Sequence, residues 1–213
     1  MKSIMKNYGF RFLLFFSLVV VFSFSSTVNG ANYILGGKME NGISDGQFRN
    51  NASPSVTVHG VTINMEQTAE GAMNAWNNLT EAYYADWTVN PTFNSYILAY
   101  GTNYGNTLVN GWAELYAAET STDPMNPGPG GAGSITEDWY YAVVYGNAYH
   151  MTDGTPMTYD QRKAVYMHEI GHALGLDHAS VGVASVMRDE AQRHANKWYT
   201  LQPDDINGVN ALY

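Results

Sequence analysis

One stretch, Val165–His178 with the sequence VYMHEIGHALGLDH, constrains this chain more than any other. It sets His168, Glu169, His172, Gly175 and His178 in the pattern H-E-x-x-H-x-x-G-x-x-H. On a helix, residues four apart lie about 40° apart around the axis and one turn up, so His168 and His172 project from one face and can grip one ion. Zinc accepts neutral imidazole nitrogens, and a catalytic zinc keeps three protein ligands with one position open to water. The third ligand cannot come from the same straight helix, because His178 would then sit about 15 Å along the axis from His168. Gly175 resolves this: glycine enters the left-handed conformation that ends a helix without steric cost, and the chain can turn to bring His178 back. Glu169, beside His168, faces the open position and suits a base that takes a proton from water there and passes it to a leaving amine. A bare H-E-x-x-H arises by chance, and a single histidine is more often a surface or core residue than a ligand. Five residues fixed within eleven positions are far more specific.

The start of the chain reads as a secretory signal peptide over residues 1–30 rather than as part of the fold. Lys2, Lys6 and Arg11 form a basic n-region, Phe12–Phe24 is a nearly unbroken apolar run, and Val28 and Gly30 are small enough for a cleavage site before Ala31. The apolar run is shorter than the ~20 residues of a spanning helix, so no stable membrane insertion is expected once it is cleaved. Its removal takes away three basic groups and no acid, moving the formal charge from −9 to −12 (7 basic, 19 acidic). Such an acidic chain is a poor ligand for nucleic acid or anionic membranes. Cysteine is absent, so stability must come from the core and from bound metal. A secreted, extracellular monomer is the expected state.

The remaining 183 residues suit a single domain. Residues 31–54, rich in Gly, Asn and Ser, read as an irregular lead-in or a short pro-segment, and the domain proper as 55–213. Asn51-Ala-Ser and Asn78-Leu-Thr match the weak three-residue glycosylation pattern. Ser55–His59 alternates like a strand. Met65, Ala69, Ala72, Met73, Trp76 and Leu79 recur at helical spacing and predict a helix over residues 67–80. Short strands are expected at Trp87–Val89, Ser95–Tyr100, Gly111–Ala117 (at a sheet edge) and Asp138–Tyr145. The Pro- and Gly-rich Glu119–Glu137 reads as a long surface loop, and His150 as a solvated turn residue. Thr158 and Gln161 form a capping box at the start of the motif helix, with Asp160 suited to its positive end. There Ala164, Met167, Gly171 and Leu174 make an apolar stripe, and Val165, His168 and His172 an adjacent one. Pro203, Asp204 and Asp205 open a last helix.

HEIGHALGLDH, Met187 nine residues beyond His178, and the closing LQPDDINGVNALY together resemble the matrixin branch of the metzincin zinc peptidases. The resemblance spans roughly Ser55–Tyr213. It implies an α+β (α/β-type) metzincin fold: a twisted, mostly parallel five-stranded sheet with an antiparallel edge strand, and three helices. It further implies one catalytic Zn2+ on His168, His172 and His178, Glu169 as catalytic base, and Met187 as a structural methionine turn packed under the histidines. A protein or peptide substrate would lie extended along the edge strand at Gly111–Leu115, and Asp204 and Asp205 would anchor the methionine turn. Three departures stand out. Arg188 follows Met187 where many matrixins have an aromatic residue and then a proline that shape the specificity pocket. Outside the motif only His59, His150 and His194 remain, too few to show the second, structural zinc loop. Structural calcium (Ca2+) is usual in the family, but no calcium loop stands out. The absence of cysteine also removes latency through a propeptide thiolate.

Two functions follow from these residues. The first is a secreted zinc endopeptidase. The second is a binding or adhesion protein of the same fold with a purely structural zinc, for which Glu169 beside an open position would have no use. A peptidase with a glutamate such as Glu190 as third ligand is a further enzymatic alternative, against which Gly175 and His178 stand.

Overall fold

The computed structural model describes residues 37–86, 96–126, 128 and 135–213. Seven strands and five helices occur among them: β1 (Gly46–Asn50), β2 (Val56–Val58), β3 (Val61–Ile63), α1 (Met65–Leu79), β4 (Tyr84–Asp86), β5 (Tyr96–Thr102), β6 (Gly111–Tyr116), β7 (Tyr141–Asn147), α2 (Ala148–Thr152), α3 (Tyr159–Ala173), α4 (Glu190–Asn196) and α5 (Pro203–Leu212). Five strands form one sheet in the order β4-β1-β5-β7-β6, and β2 and β3 form a separate hairpin. Within the sheet β4, β1, β5 and β7 run parallel, and β6 alone pairs antiparallel, with Gly111 opposite Gly146 and Tyr116 opposite Tyr141. This is the mostly parallel, five-stranded metzincin arrangement with Gly111–Tyr116 as its antiparallel edge.

The three expected helices are α1, α3 and α5, each opened by the signal its sequence carries. Asn64 accepts the Gln67 amide at the start of α1. Thr158 and Gln161 make the reciprocal capping box of α3, and Pro203 stands in the first turn of α5. The short helices α2 and α4 are additional, and α2 takes in His150, which was expected in a turn. Neither has enough turns to show a period of 3.6 in the sequence.

The expectation of an irregular stretch before Pro54 needs correction, since it contains β1, an interior strand paired on both sides. β1 is held by backbone ladders, and of its side chains only Phe48 is large, apolar and buried. Alternation over so few residues is too weak to stand out. The strand expected at Trp87–Val89 lies outside the described residues, immediately after β4.

The main core lies between one sheet face and the helices α1 and α3. Its largest members, Trp76, Trp139 and Tyr166, are fully buried, and each polar atom is matched: Trp76 Nε1 donates to the Met167 carbonyl at 3.1 Å, Trp139 Nε1 to that of Ala173 at 2.9 Å, and Tyr166 Oη to that of Tyr100 at 2.9 Å. All three bonds tie α3 to its surroundings, which fixes the helix that carries the histidines. The opposite sheet face carries a tyrosine cluster in which Tyr141 stacks between Tyr96 and Tyr116. No helix among the described residues is long and apolar enough to cross a membrane.

Candidate metal centre and cleft

The turn that redirects the chain after α3 is a Schellman motif. Gly175 takes a φ of 102°, its amide donates to the His172 carbonyl at 3.0 Å, and the Leu176 amide donates to that of Gly171 at 2.9 Å. His178 thereby returns to the face carrying His168 and His172, and one ligand nitrogen from each residue lies within 4.8 Å of the others. His168 Nε2 is 3.1 Å from His172 Nε2 and 3.2 Å from His178 Nε2.

The protonation pattern suits a cation at this point. His168 Nδ1 lies 2.8 Å from the Val186 carbonyl and His172 Nδ1 lies 2.8 Å from that of Leu176. A carbonyl only accepts, so both Nδ1 atoms carry the proton and both Nε2 atoms present lone pairs. Arg193 Nη1 also approaches His168 Nδ1 at 2.6 Å, but its two hydrogens have acceptors in the Arg188 carbonyl at 2.7 Å and the Val186 carbonyl at 3.1 Å. The Nδ1–H tautomer therefore stands. Burial, reinforced by Arg193 and then the other two imidazoles, holds His168 well below its ordinary pKa, and burial followed by His178 lowers His172 to about 4. Neutral imidazoles whose lone pairs converge repel one another unless a cation sits between them. Tetrahedral coordination at Zn–N of about 2.0–2.1 Å implies N···N edges of about 3.3 Å, close to those observed, so the donor set fits zinc.

Glu169 is buried at the same cleft. Burial pushes its carboxyl up to about 8, with Arg193 pulling the other way. The edge strand passes close by: a Cβ on Gly111 would stand 3.0 Å from Glu169 Cγ and 2.8 Å from Val165 Cγ1. The cleft has a volume of about 570 Å³ and runs between β6 on one side and His178, Asp189 and Arg193 on the other.

Beneath the histidines, Met187 is fully buried against α3, where a Cβ on Gly171 would lie 2.3 Å from its Sδ. Its carbonyl accepts the amide of Ala179, the residue after His178, at 3.1 Å. Asp205 is fully buried and holds this turn: it accepts the Ser185 hydroxyl, the Val186 amide at 3.0 Å and the Gln202 amide at 2.7 Å. Glu190 lines the cleft but accepts a hydrogen bond from Asn110 Nδ2, while His178 joins the triad. His150 Nε2 accepts the Leu108 amide at 3.1 Å, and His194 lies against Tyr199 and Glu190.

The bonds to the methionine turn go to Asp205 and none to Asp204, which has one carboxylate oxygen buried and unpartnered among the described residues. Burial, and then the charge of Asp205, raise its carboxyl from 3.8 to about 6. A raised folded pKa means that ionising the group opposes folding, so the penalty is absent below about pH 4 and grows as pH rises through about 6. Asp204→Asn is expected to raise the melting temperature at pH 7.5, with the gain shrinking towards pH 4. An unchanged gain at both pH values would show that ionisation of Asp204 is not its cause.

Two buried arginines could not be read from the sequence. Arg188 Nη1 donates to the Ala179 carbonyl at 2.8 Å, bracing the chain next to His178, and Arg193 reaches His168 from α4. Lone charges in polar stretches read as solvated, and only the packing of α4 buries them.

A five-stranded sheet with one antiparallel edge, crossed by a helix whose two histidines meet a third after a glycine turn, defines a metzincin-type chain. A sequence profile of the matrixin family matches residues 61–213. The chain belongs to the matrixin family. Over 80 residues it is 36% identical to a candidate matrix metalloproteinase of Spodoptera frugiperda ascovirus 1a, a match covering 37% of this chain and 20% of that protein. The similarity thus spans a fifth of the length of that curated relative. Among solved structures, a chain from the GM1-bound form of the ECX AB5 holotoxin shares the fold, with a TM-score of 0.50 at 14% identity over 79% of this chain and 80% of that one. Family membership implies zinc as the metal of the histidine triad.

Proposed function

We propose that this chain is a secreted zinc endopeptidase acting on extended protein or peptide substrates, with His168, His172 and His178 as metal ligands and Glu169 as general base. The observation that carries the reading is the convergence of the His168, His172 and His178 Nε2 atoms at a cleft that also holds a buried carboxyl and a sheet edge. Zinc bound there would supply a Lewis acid that polarises the scissile carbonyl and lowers the pKa of water. Glu169 takes a proton from the attacking water as the new C–O bond forms, and returns it to the amide nitrogen as the peptide C–N bond then breaks and the amine leaves. Its raised pKa suits both steps near neutral pH, and a dication close by would draw it down. The Val186 carbonyl, which also accepts from Arg193, holds the His168 ring, while the Leu176 carbonyl holds His172. The β6 edge offers backbone groups to pair with the substrate.

The test is expression of the full chain with a casein assay on the exported product, expected to begin at Ala31. Cleavage should stop with a chelator and return on adding zinc. Cleavage that persists after complete metal removal would overturn the reading. Zinc-loaded protein that cleaves neither casein nor unstructured peptides would favour a binding protein of the same fold.

A further inference from the structure

The edge strand β6 is already half paired. Asn110, the residue before it, accepts the Asn147 amide at 2.7 Å, and with Gly111 opposite Gly146 the alternation of an antiparallel ladder turns Trp112, Glu114 and Tyr116 towards β7. Gly111, Ala113 and Leu115 therefore aim their amides and carbonyls outward. Beyond Ala113 those groups are taken by the returning loop. Asn126 Oδ1 accepts the Leu115 amide at 2.8 Å, Asn126 Nδ2 donates to the Ala113 carbonyl at 3.0 Å, and the Met125 amide donates to the Leu115 carbonyl at 2.7 Å. The primary amide of Asn126 copies the donor and acceptor of a peptide group, and the loop acts as a short added strand. The Gly128 amide, bonded to Glu114 Oε1 at 3.2 Å, fastens it from the other side. Among the described residues, the outward groups with no protein partner are the Gly111 amide and carbonyl and the Ala113 amide, which lie beside Glu169 and the triad.

We propose that Met125–Asn126 is a built-in stop on the substrate channel, with Asn126 as the residue that sets how far a substrate can pair along the edge. The proposal rests on the peptidase reading above. A substrate backbone pairs at Gly111–Ala113, next to the reacting carbonyl, and is turned off the sheet at Asn126. Substrate residues further out on that one side of the scissile bond make no backbone pairing and contribute little to recognition, while the opposite side is not limited in this way.

The test is kcat/KM for two series of peptides, extended one residue at a time on either side of a cleaved bond, with the parent and with Asn126→Ala. For the parent, extension on one side should stop mattering after about two residues. In Asn126→Ala, which frees the Ala113 carbonyl and the Leu115 amide, the next residue on that side should add about threefold or more, the worth of one hydrogen bond. Parent rates that climb equally with length on both sides overturn the proposal. If zinc-loaded parent cleaves no peptide of either series, the peptidase reading falls and takes the proposal with it. Amide exchange in the ligand-free parent needs no variant and no turnover: the Leu115 and Met125 amides should exchange slowly and those of Gly111 and Ala113 fast. A Leu115 amide that exchanges as fast as Gly111 would show that the loop does not hold the edge.

Discussion

Glu169→Gln is expected to lower kcat by about 10²–10⁴-fold, the usual worth of a positioned general base, while zinc affinity stays within a few-fold of the parent. The substitution keeps the volume of a side chain that, with Val165, packs under Gly111 and removes only the ability to hold the proton. It leaves untouched the second partners that fix the rings, the Val186 carbonyl on His168 and the Leu176 carbonyl on His172. Nor should it weaken the fold: burial raises the Glu169 carboxyl to about 8, so its ionisation opposes folding as pH rises through that value, and a neutral amide has no such penalty. Steady-state cleavage of an unstructured peptide and a competitive zinc titration check the two halves together. Retention of more than a tenth of parental kcat with zinc bound would remove Glu169 from the role of base. Loss of zinc with loss of activity would mean that the side chain helps to build the triad and does not act on substrate.

The local chemistry of α3 was legible because every part of it is written within one stretch. Thr158 and Gln161 cap it and Gly175 turns it, through interactions between residues at most five apart, and its apolar stripe recurs at a spacing of three and four. The edge strand was legible too, since GWAELY alternates between the tyrosine face and the helical face. What was not legible depends on partners far away in sequence. β1 is a strand because β4 and β5 pair with it, not because GQFRN prefers to be extended. Arg193 is buried because α4 lies over Val186 and His168, and nothing near Arg193 in the chain signals it. Asn126 falls in a loop identified only by its prolines and glycines, yet its amide spans two backbone groups of β6 more than ten residues away. A side-chain amide that mimics a peptide leaves no periodic signal at all.

Asp205→Ala is expected to lower the melting temperature by about 10 °C and to weaken zinc binding, although Asp205 touches neither metal ligand nor substrate. The carboxylate joins the first turn of α5 to Ser185, Val186 and Met187 in a place closed to water. Its removal strands the Val186 and Gln202 amides and the Ser185 hydroxyl, at about 1–3 kcal/mol for each buried group left unsatisfied. Burial of the charge works against this, since it raises the Asp205 carboxyl above its ordinary value despite the hydrogen bonds it accepts, and truncation relieves that part. A net loss of about 3 kcal/mol remains, and at about 2–4 °C per kcal/mol for a chain of this size it accounts for the shift. The coupling to zinc follows the backbone. Val186 positions the His168 ring through its carbonyl, and Met187 holds Ala179 next to His178, so loosening residues 185–187 loosens two of the three ligands at once. Melting curves with and without zinc separate the two effects: the zinc-free shift reports the lost anchor, and a smaller stabilisation by zinc than in the parent reports the loosened triad. A variant that melts within 2 °C of the parent, set against an expected shift of about 10 °C, would show that the turn is held by its packing under α3 alone.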